Sequence, residues 1–402
     1  MKPYSRATKK KSYSKKNQAM IQIEAANTRA EIKKFMMFPF KLYKDNPYWV
    51  SPLLMDIRHV LGINTFVDGL LGAKGKHPFY SYGNMQLYVA KKNGEIVGRI
   101  AAISNDRYNE VHPNEGGVGF FGFFECVNDQ EVANALFDQA KSWLKERNLT
   151  KMQGPASPSS SYEFGLLTDG FDDTPRVDMP YQFEYYQHLI ANYGMPVAQE
   201  LLAYRMDAET IFNNEKLKRA AGLVKKRYNV EIKPINMKNL HEEVKIIKEV
   251  YNKAWEPLWG IVPLTDEEID VYAEKFKMIA IPDLIPFIYV DGKLAGMAVA
   301  VLDFNYILKD LKGRLFPKGY KIFTDRKKVK WMRVILLGLM PEFQGKGIDA
   351  VVYHHLIEAG LKHGFKYCEG SYILKNNDMM NRGMQVVSAE VYKEYKVYEM
   401  EI

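Results

Sequence analysis

Cysteine is nearly absent from this chain. Among 402 residues only Cys126 and Cys368 occur, in no Cys-x-x-Cys pair and no Cys/His cluster of metal-ligand spacing. The pattern offers no zinc site, and no metal is expected. So few cysteines fit a reducing compartment better than a secreted disulfide scaffold, so the expected location is cytoplasmic; a single bridge between the two stays open. Long apolar runs are missing too: VILLGLM at 334–340 is among the longest, far below the roughly 18 to 20 residues of a membrane span. No apolar block follows the lysine-rich start, which therefore does not read as a secretory signal. Acidic residues are absent before Glu24, whereas Lys2, Arg6, Lys9, Lys10, Lys11, Lys15 and Lys16 precede it. These seven cations account for nearly all of the formal net charge of +8. Residues 1–20 read as a disordered basic tail, able to touch anionic lipid at the inner face of the membrane or simply to stay solvated. The near-neutral remainder argues against a nucleic-acid channel, which needs basic residues spread over a face.

What is present is ample material for a core. Hydrophobic residues make up 47% and aromatic residues 13% of the chain, and this length suits two domains of ordinary size. An internal echo supports that division. LYVAKKNGEIVGRIAAISND and PFIYVDGKLAGMAVAVLDF each read as strand, tight turn, strand. Their Asn93-Gly94 and Asp291-Gly292 turns permit the positive φ angles of a type I′ hairpin. Each hairpin is followed, after an insertion, by an apolar strand and an amphipathic helix. In the first half the strand is 118–125 and the helix opens at Asn128, with Glu131 three residues on as a capping box. Val132, Leu136, Phe137, Ala140, Trp143 and Leu144 form its apolar stripe. In the second half VILLGLM leads to a helix from about Ile348 to His363, closed by Gly364, with Val352, Leu356 and Ala359 on its buried face. Residues 214–228 read as a further helix.

Between the halves, residues 154–194 carry Pro155, Pro158, Pro175, Pro180 and a serine run at 159–161, which exclude a long regular element. This connector is too aromatic for a disordered linker, with Tyr162, Phe164, Phe171, Tyr181, Phe183, Tyr185 and Tyr186. It is expected to pack and to line a site.

The sharpest constellation is LLGLMPEFQGKGIDAVVYHHLIEAG at 336–360, a strand, a proline, then Gln344-Gly345-Lys346-Gly347 at a helix start. Backbone amides there, with the positive end of the helix dipole, suit a pyrophosphate. It is neither a Walker loop nor GxGxxG; a glycine turn before an ordinary helix is the plain alternative. The segment resembles the GNAT (GCN5-related N-acyltransferase) superfamily, whose signature is Q/R-x-x-G-x-G/A opening the helix that grips CoA. Gln344 and Gly347 match it. Asp349 departs from the final small position and brings a carboxylate toward a dianion unless it turns away.

The resemblance extends over about 21–402, to a bacterial family of tandem GNAT-like proteins that includes proposed ceramide synthases. It is carried by NPYWVSPL at 46–53, HPFY at 77–80, GEIVGRIAA at 94–102, GFFGFFE at 119–125, GLLTDGFDDTP at 165–175 and YNKAWEPLWGIVPLT at 251–265. The implied fold is α/β (mixed α+β), two tandem GNAT-like domains, each a mixed β-sheet flanked by helices. The implied reaction is N-acylation of an amine by acyl-CoA or acetyl-CoA, with a long-chain amino alcohol (sphingoid base) among the implied acceptors. Cofactor contacts then fall on Leu339 and Met340, whose backbone amides suit the thioester carbonyl and pantetheine, and on Gln344, Gly345, Lys346, Gly347, Ile348 and Asn377.

The first half lacks the cradle, since Cys126-Val127-Asn128-Asp129-Gln130-Glu131 follows GFFE and its acids repel a pyrophosphate. The expected organisation is a basic tail (1–20), a degenerate N-terminal GNAT-like domain with the aromatic connector (21–200), and a C-terminal GNAT domain binding acyl-CoA (201–402). Acyl transfer to an amine needs a base, donors for the thioester oxygen and an acid for the thiolate. Tyr395 and Tyr398 are candidates for the acid, Glu125 and Glu184 for the base if buried among aromatic rings, and Glu369 is a further catalytic candidate, placed to touch substrate or cofactor. His112, His354 and His355 read as packing or surface histidines. Trp255 and Trp259, with Pro257 and Pro263, and Tyr186 of the connector are candidates to line the acyl or acceptor pocket; core packing is the alternative for each. Two other functions stay open: an aminoacyltransferase using charged tRNA, as in the FemABX group, and a lipid or acyl-CoA binding module without catalysis.

Overall fold

The computed structural model describes residues 20–70, 75–159, 162–255 and 259–402, with the backbone alone at 275–279. The basic tail to residue 19, and Pro257, lie outside the described residues. The strands are β1 (Ile21–Ala25), β2 (Gly83–Lys92), β3 (Glu95–Asn105), β4 (Val118–Cys126), β5 (Lys151–Gly154), β6 (Ala156–Ser157), β7 (Glu163–Phe164), β8 (Leu166–Asp169), β9 (Val197–Asp207), β10 (Val230–Pro234), β11 (Pro286–Val290), β12 (Lys293–Leu302), β13 (Trp331–Leu339), β14 (Tyr367–Leu374) and β15 (Glu390–Glu401). Helices cover both faces, so the chain has the expected mixed α/β architecture.

Both echoed hairpins form. β2 and β3 join through Asn93 and Gly94, with φ of 56° and 80°, and β11 and β12 through Asp291 and Gly292, with φ of 47° and 74°. These left-handed pairs match the twist of antiparallel strands. Each hairpin leads on to the next strand, β4 or β13, then to a helix and a parallel strand, β5 or β14.

The two halves share one sheet, in the order β1-β2-β3-β4-β5-β15-β9-β14-β13-β12-β11-β10. Its centre is an exchange. The C-terminal strand β15 lies antiparallel to β5 of the first half, while β9, which follows the connector, lies antiparallel to β14 of the second. β9 and β15 also pair with each other. Each half is thus closed by a strand from the other, which covers edges that would otherwise stay open.

The helix Gln130–Lys145 buries Val132, Leu136, Phe137, Ala140, Trp143 and Leu144 against one face of the first-half sheet. Its cap is Asp129, not Asn128: the Asp129 carboxylate accepts from the amides of Glu131 and Val132. A cap of this kind is worth about 1 kcal/mol. The helix Glu215–Arg227 starts at Asn214 as expected and packs beside the helix Ile348–Lys362. The connector holds short strands and also a helix, Tyr185–Tyr193, where the prolines argued against a long element. The last of them, Pro180, precedes this helix and leaves its amides free to bond. Cys126 and Cys368 are free and buried on different strands, β4 and β14.

Candidate active site

β13 and β14 run parallel from Trp331↔Tyr367 only as far as Val334↔Gly370. Beyond that point β14 bulges against β9, between Gly370 and Ile373, and β13 continues alone on that side to Leu339. Along β12 the Met340 N–H donates to the Ala295 carbonyl at 2.8 Å, while Leu339 faces Gly296. Because amides alternate sides along a strand, the Leu339 N–H points away from β12, into the gap beside β14. Of the two amides expected to meet the thioester, Leu339 is therefore presented and Met340 is committed to the sheet.

The gap opens above the turn at 344–347. Gln344 donates its side-chain amide to the Leu339 carbonyl at 3.0 Å, which ties the turn to the strand end. Gly345 and Gly347 have φ of 70° and 74°, and the Cβ a residue at 345 would carry meets nothing within 4 Å. Gly347 is the N-cap of the helix Ile348–Lys362, and no side chain caps this helix. Its first amides are therefore open to an anion. Lys346 is exposed beside them, its ammonium 5.2 Å from the Phe343 ring centre. Asp349 is the second helical residue rather than the cap. Ile348 is buried and anchors the helix start.

The matching places in the first half are filled. β4 and β5 also part after three paired positions, the last being Phe120↔Gln153, but the chain's own residues 155–157 enter the gap. A Cβ at Gly122 would come within 1.8 Å of the Ala156 carbonyl oxygen, and the Phe123 N–H donates to Ser157 Oγ at 2.9 Å. The helix that follows is capped by Asp129, as described. Strand gap and helix end are both closed by protein here, whereas both are open in the second half.

A group that local sequence reasoning missed lies between the halves. Glu163, on β7, is exposed by area, yet enclosure by the surrounding protein pushes its carboxyl up to about 7. Glu125 and Asp178 add to the rise and Arg99 opposes it. A carboxyl raised in this way can take a proton near neutrality. Beside it Tyr372 donates to the Phe164 carbonyl at 2.6 Å, and Trp259 lies 6.1 Å from the Phe164 ring. One legible hint was an arginine inside an apolar strand, Arg99 in EIVGRIAA, since a charge there needs a buried partner.

That partner is Glu125, cross-strand from Arg99. Tyr43 and Tyr186 both donate to its Oε2 at 2.7 Å, and Arg99 lies 3.8 Å from Oε1. Burial raises the Glu125 carboxyl, against the pull of Arg99 and the two hydroxyls. Tyr186, expected on the substrate wall, is instead fully buried, and its hydroxyl also accepts from the Cys126 N–H at 2.9 Å. It positions Glu125.

Glu369 is likewise enclosed. Its Oε1 accepts from Ser371 at 2.6 Å and faces Arg333 Nε at 3.4 Å, and its Oε2 accepts from the Tyr392 hydroxyl. Both oxygens are engaged, and the residue braces β13 against β14. Asn377 caps the helix Asp378–Val386 by accepting from the Met380 N–H at 3.2 Å. Tyr395 is fully buried 5.0 Å from the Tyr372 ring, and its hydroxyl finds no hydrogen-bond partner among the described residues. Desolvation holds its proton on well above the usual phenol range, so it is a donor awaiting an acceptor. Tyr398 packs on the opposite side, beside Phe121 and Phe124. Glu184 stands at the start of the helix Tyr185–Tyr193 without capping it. Trp255 stacks on Tyr251 at 5.5 Å and covers Gly338 of β13, where any Cβ would meet its ring at 2.4 Å. Trp255 thus abuts the gap strand and Trp259 the connector. His112 and His355 bond the carbonyls of Ile261 and Asp283 at 3.0 and 3.1 Å, and His354 packs near Phe212.

No family model matches the chain. Two curated proteins are similar over nearly their whole length: Protein YghO of Escherichia coli (strain K12), 33% identical over 380 residues, 92% of this chain and 93% of that one, and the Bacterial ceramide synthase of Caulobacter vibrioides (strain NA1000 / CB15N), 30% identical over 390 residues, 95% of this chain and 97% of that one. Among solved structures, a tandem GNAT protein from the clavulanic acid biosynthesis pathway superposes with a TM-score of 0.53 at 10% identity, covering 95% of this chain and 98% of that one. At that identity the superposition speaks for the fold alone, and it agrees with two GNAT-like halves in one sheet. The chain belongs to the tandem GNAT-like N-acyltransferase family that includes the bacterial ceramide synthase.

Proposed function

We propose that this chain transfers an acyl group from acyl-CoA to the amino group of a long-chain acceptor of sphingoid-base type, giving a ceramide-like amide. The observation that carries the reading is the unpaired end of β13 above a helix start that no side chain caps. The amides at 345–348 face the pyrophosphate, pantetheine lies along β13 in the place of a strand, and the Leu339 N–H meets the thioester oxygen. The C-terminal half is the donor domain. The N-terminal half, with both of its matching openings closed by its own chain, builds the acceptor side.

Glu163 serves as base. It takes one proton from the ammonium group, the freed nitrogen pair forms the C–N bond, and the C–S bond breaks with its electrons leaving on sulfur. The thiolate then takes the second proton that nitrogen sheds. Arg99 and Glu125 sit behind Glu163 and set its charge. The rings of Trp259 and Phe164 suit an alkyl chain, for which each buried methylene contributes about 0.8 kcal/mol. The name of the Caulobacter relative agrees with such an acceptor.

The test is thiol release, followed with DTNB, from acyl-CoA of several chain lengths with and without a long-chain amino alcohol, with mass analysis of the lipid product. Release that depends on the amine and yields the amide is the expected result. Release that ignores the amine, or binding without release, would contradict it.

A further inference from the structure

The segment from 306 to 330 holds nine lysines and arginines and two aspartates, a net of +7 in a chain whose whole formal charge is +8. It also carries four strongly exposed aromatic residues: Phe316 at 88%, Phe323 at 68%, Tyr320 at 61% and Tyr306 at 52% exposed. Large rings in water cost free energy and are normally turned inward. Here they stand out from a segment that is otherwise held firmly. Leu311, Ile322 and Val329 are buried in the core. Leu54 donates to the Gly313 carbonyl at 2.9 Å, and Gly313 sits so close to the Phe40 ring that a Cβ would approach it to 2.9 Å. The segment is an anchored protrusion with apolar residues inward and rings and cations outward. Of the cations, Lys321 pairs with Asp310, and Lys328 with Asp325 at 2.9 Å. Lys312, Arg314, Lys318 and Lys327 are exposed on the same short stretch.

We propose that this protrusion is a membrane-docking surface for an anionic bilayer, with Phe316, Tyr320 and Phe323 entering the headgroup region while the lysines and arginines meet lipid phosphates. Aromatic rings beside cations are the composition that interfaces favour, because a ring is apolar in body and lipid headgroups carry the complementary charge. Nucleic acid would use the cations but leaves three adjacent protruding rings without a partner of matching shape along a duplex. The surface is separate from the gap beside β13, and the proposal stands whether or not the acceptor is a sphingoid base.

The experiment is co-sedimentation of the full chain with vesicles of phosphatidylglycerol and phosphatidylcholine, against vesicles of phosphatidylcholine alone. The intact chain is expected to bind the anionic vesicles, less tightly as salt is raised. Phe316→Ser/Tyr320→Ser/Phe323→Ser should weaken binding tenfold or more without changing thiol release from a water-soluble acyl-CoA. Lys312→Glu/Arg314→Glu/Lys318→Glu should weaken it by at least about fivefold for each charge changed. If the triple ring variant does not fold, Phe316→Ser, at the most exposed position, carries the same test with a smaller loss. Unchanged vesicle affinity in these variants would overturn the proposal and give any binding to the tail. Tighter binding to a labelled DNA or RNA duplex than to vesicles, insensitive to the ring substitutions, would overturn it in favour of nucleic acid.

Discussion

At the scale of single residues, Glu163 acquires its chemistry from neighbours distant in sequence. Glu125 arrives on β4, Arg99 on β3, Asp178 from the connector, and Tyr372 from β14. Enclosure by protein, with Glu125 and Asp178 adding to it and Arg99 opposing, brings its carboxyl up to about 7, well above the 4.5 of a free glutamate. A base must be ionised, so kcat/KM for acyl transfer should climb as pH passes through about 7, and Glu163→Gln should lose that limb together with about 10²- to 10⁴-fold in rate. The sign for stability is opposite. The folded state holds this proton more tightly than the unfolded one, so ionising Glu163 weakens the fold as pH rises from 4.5 to about 7. Glu163→Gln should therefore melt at least as high as the parent at pH 8, and that advantage should shrink toward pH 4.5. A variant that keeps both the rate and the limb would move the base elsewhere, Glu125 being next in line.

At the scale of elements, what a strand or turn needs locally was readable from the chain. Asn93-Gly94 and Asp291-Gly292 fold as hairpin turns because each pair of residues tolerates positive φ, and Gly347 starts its helix for the same reason. The capping residue differed by one position, Asp129 for Asn128, since either side chain can cap and packing decides. Glu163, by contrast, is a lone acid between Tyr162 and Phe164 in a proline-rich stretch, with nothing local to mark it. Glu369 and Tyr186 looked available in sequence and prove to be enclosed, because their partners come from elements far apart in the chain: Arg333 on β13 and Tyr392 on β15 for Glu369, Tyr43 and Glu125 for Tyr186. The proposed acyl channel rests on another contact between residues distant in sequence, Trp259 against Phe164. Trp259→Ala should cut catalytic efficiency with palmitoyl-CoA by tenfold or more while changing acetyl-CoA turnover little, since only the long chain reaches that ring. Equal losses with both donors would make Trp259 a core residue and remove the lipid channel.

At the scale of the molecule, the exchange of β9 and β15 joins two similar halves into one sheet, and no local signal in the chain announces it, since strand pairing is long-range. Likeness then makes the difference between the halves informative. Both have a parallel strand pair that parts, and both have a helix below it. In one the chain has closed its own gap with residues 155–157 and capped its own helix, and in the other neither has happened. One CoA is therefore expected to bind each chain, in the second half. Calorimetric titration of the full chain with CoA measures this most directly. The expected result is one site per chain, lost in Gly347→Glu, where a carboxylate would stand at the helix start in place of phosphate. The position has room, since the nearest atom to a Cβ there is Val224 Cγ2 at 3.4 Å, although a φ of 74° strains any residue but glycine, so a melting curve accompanies the titration. Two sites per chain, or unchanged affinity in a folded Gly347→Glu protein, would contradict it.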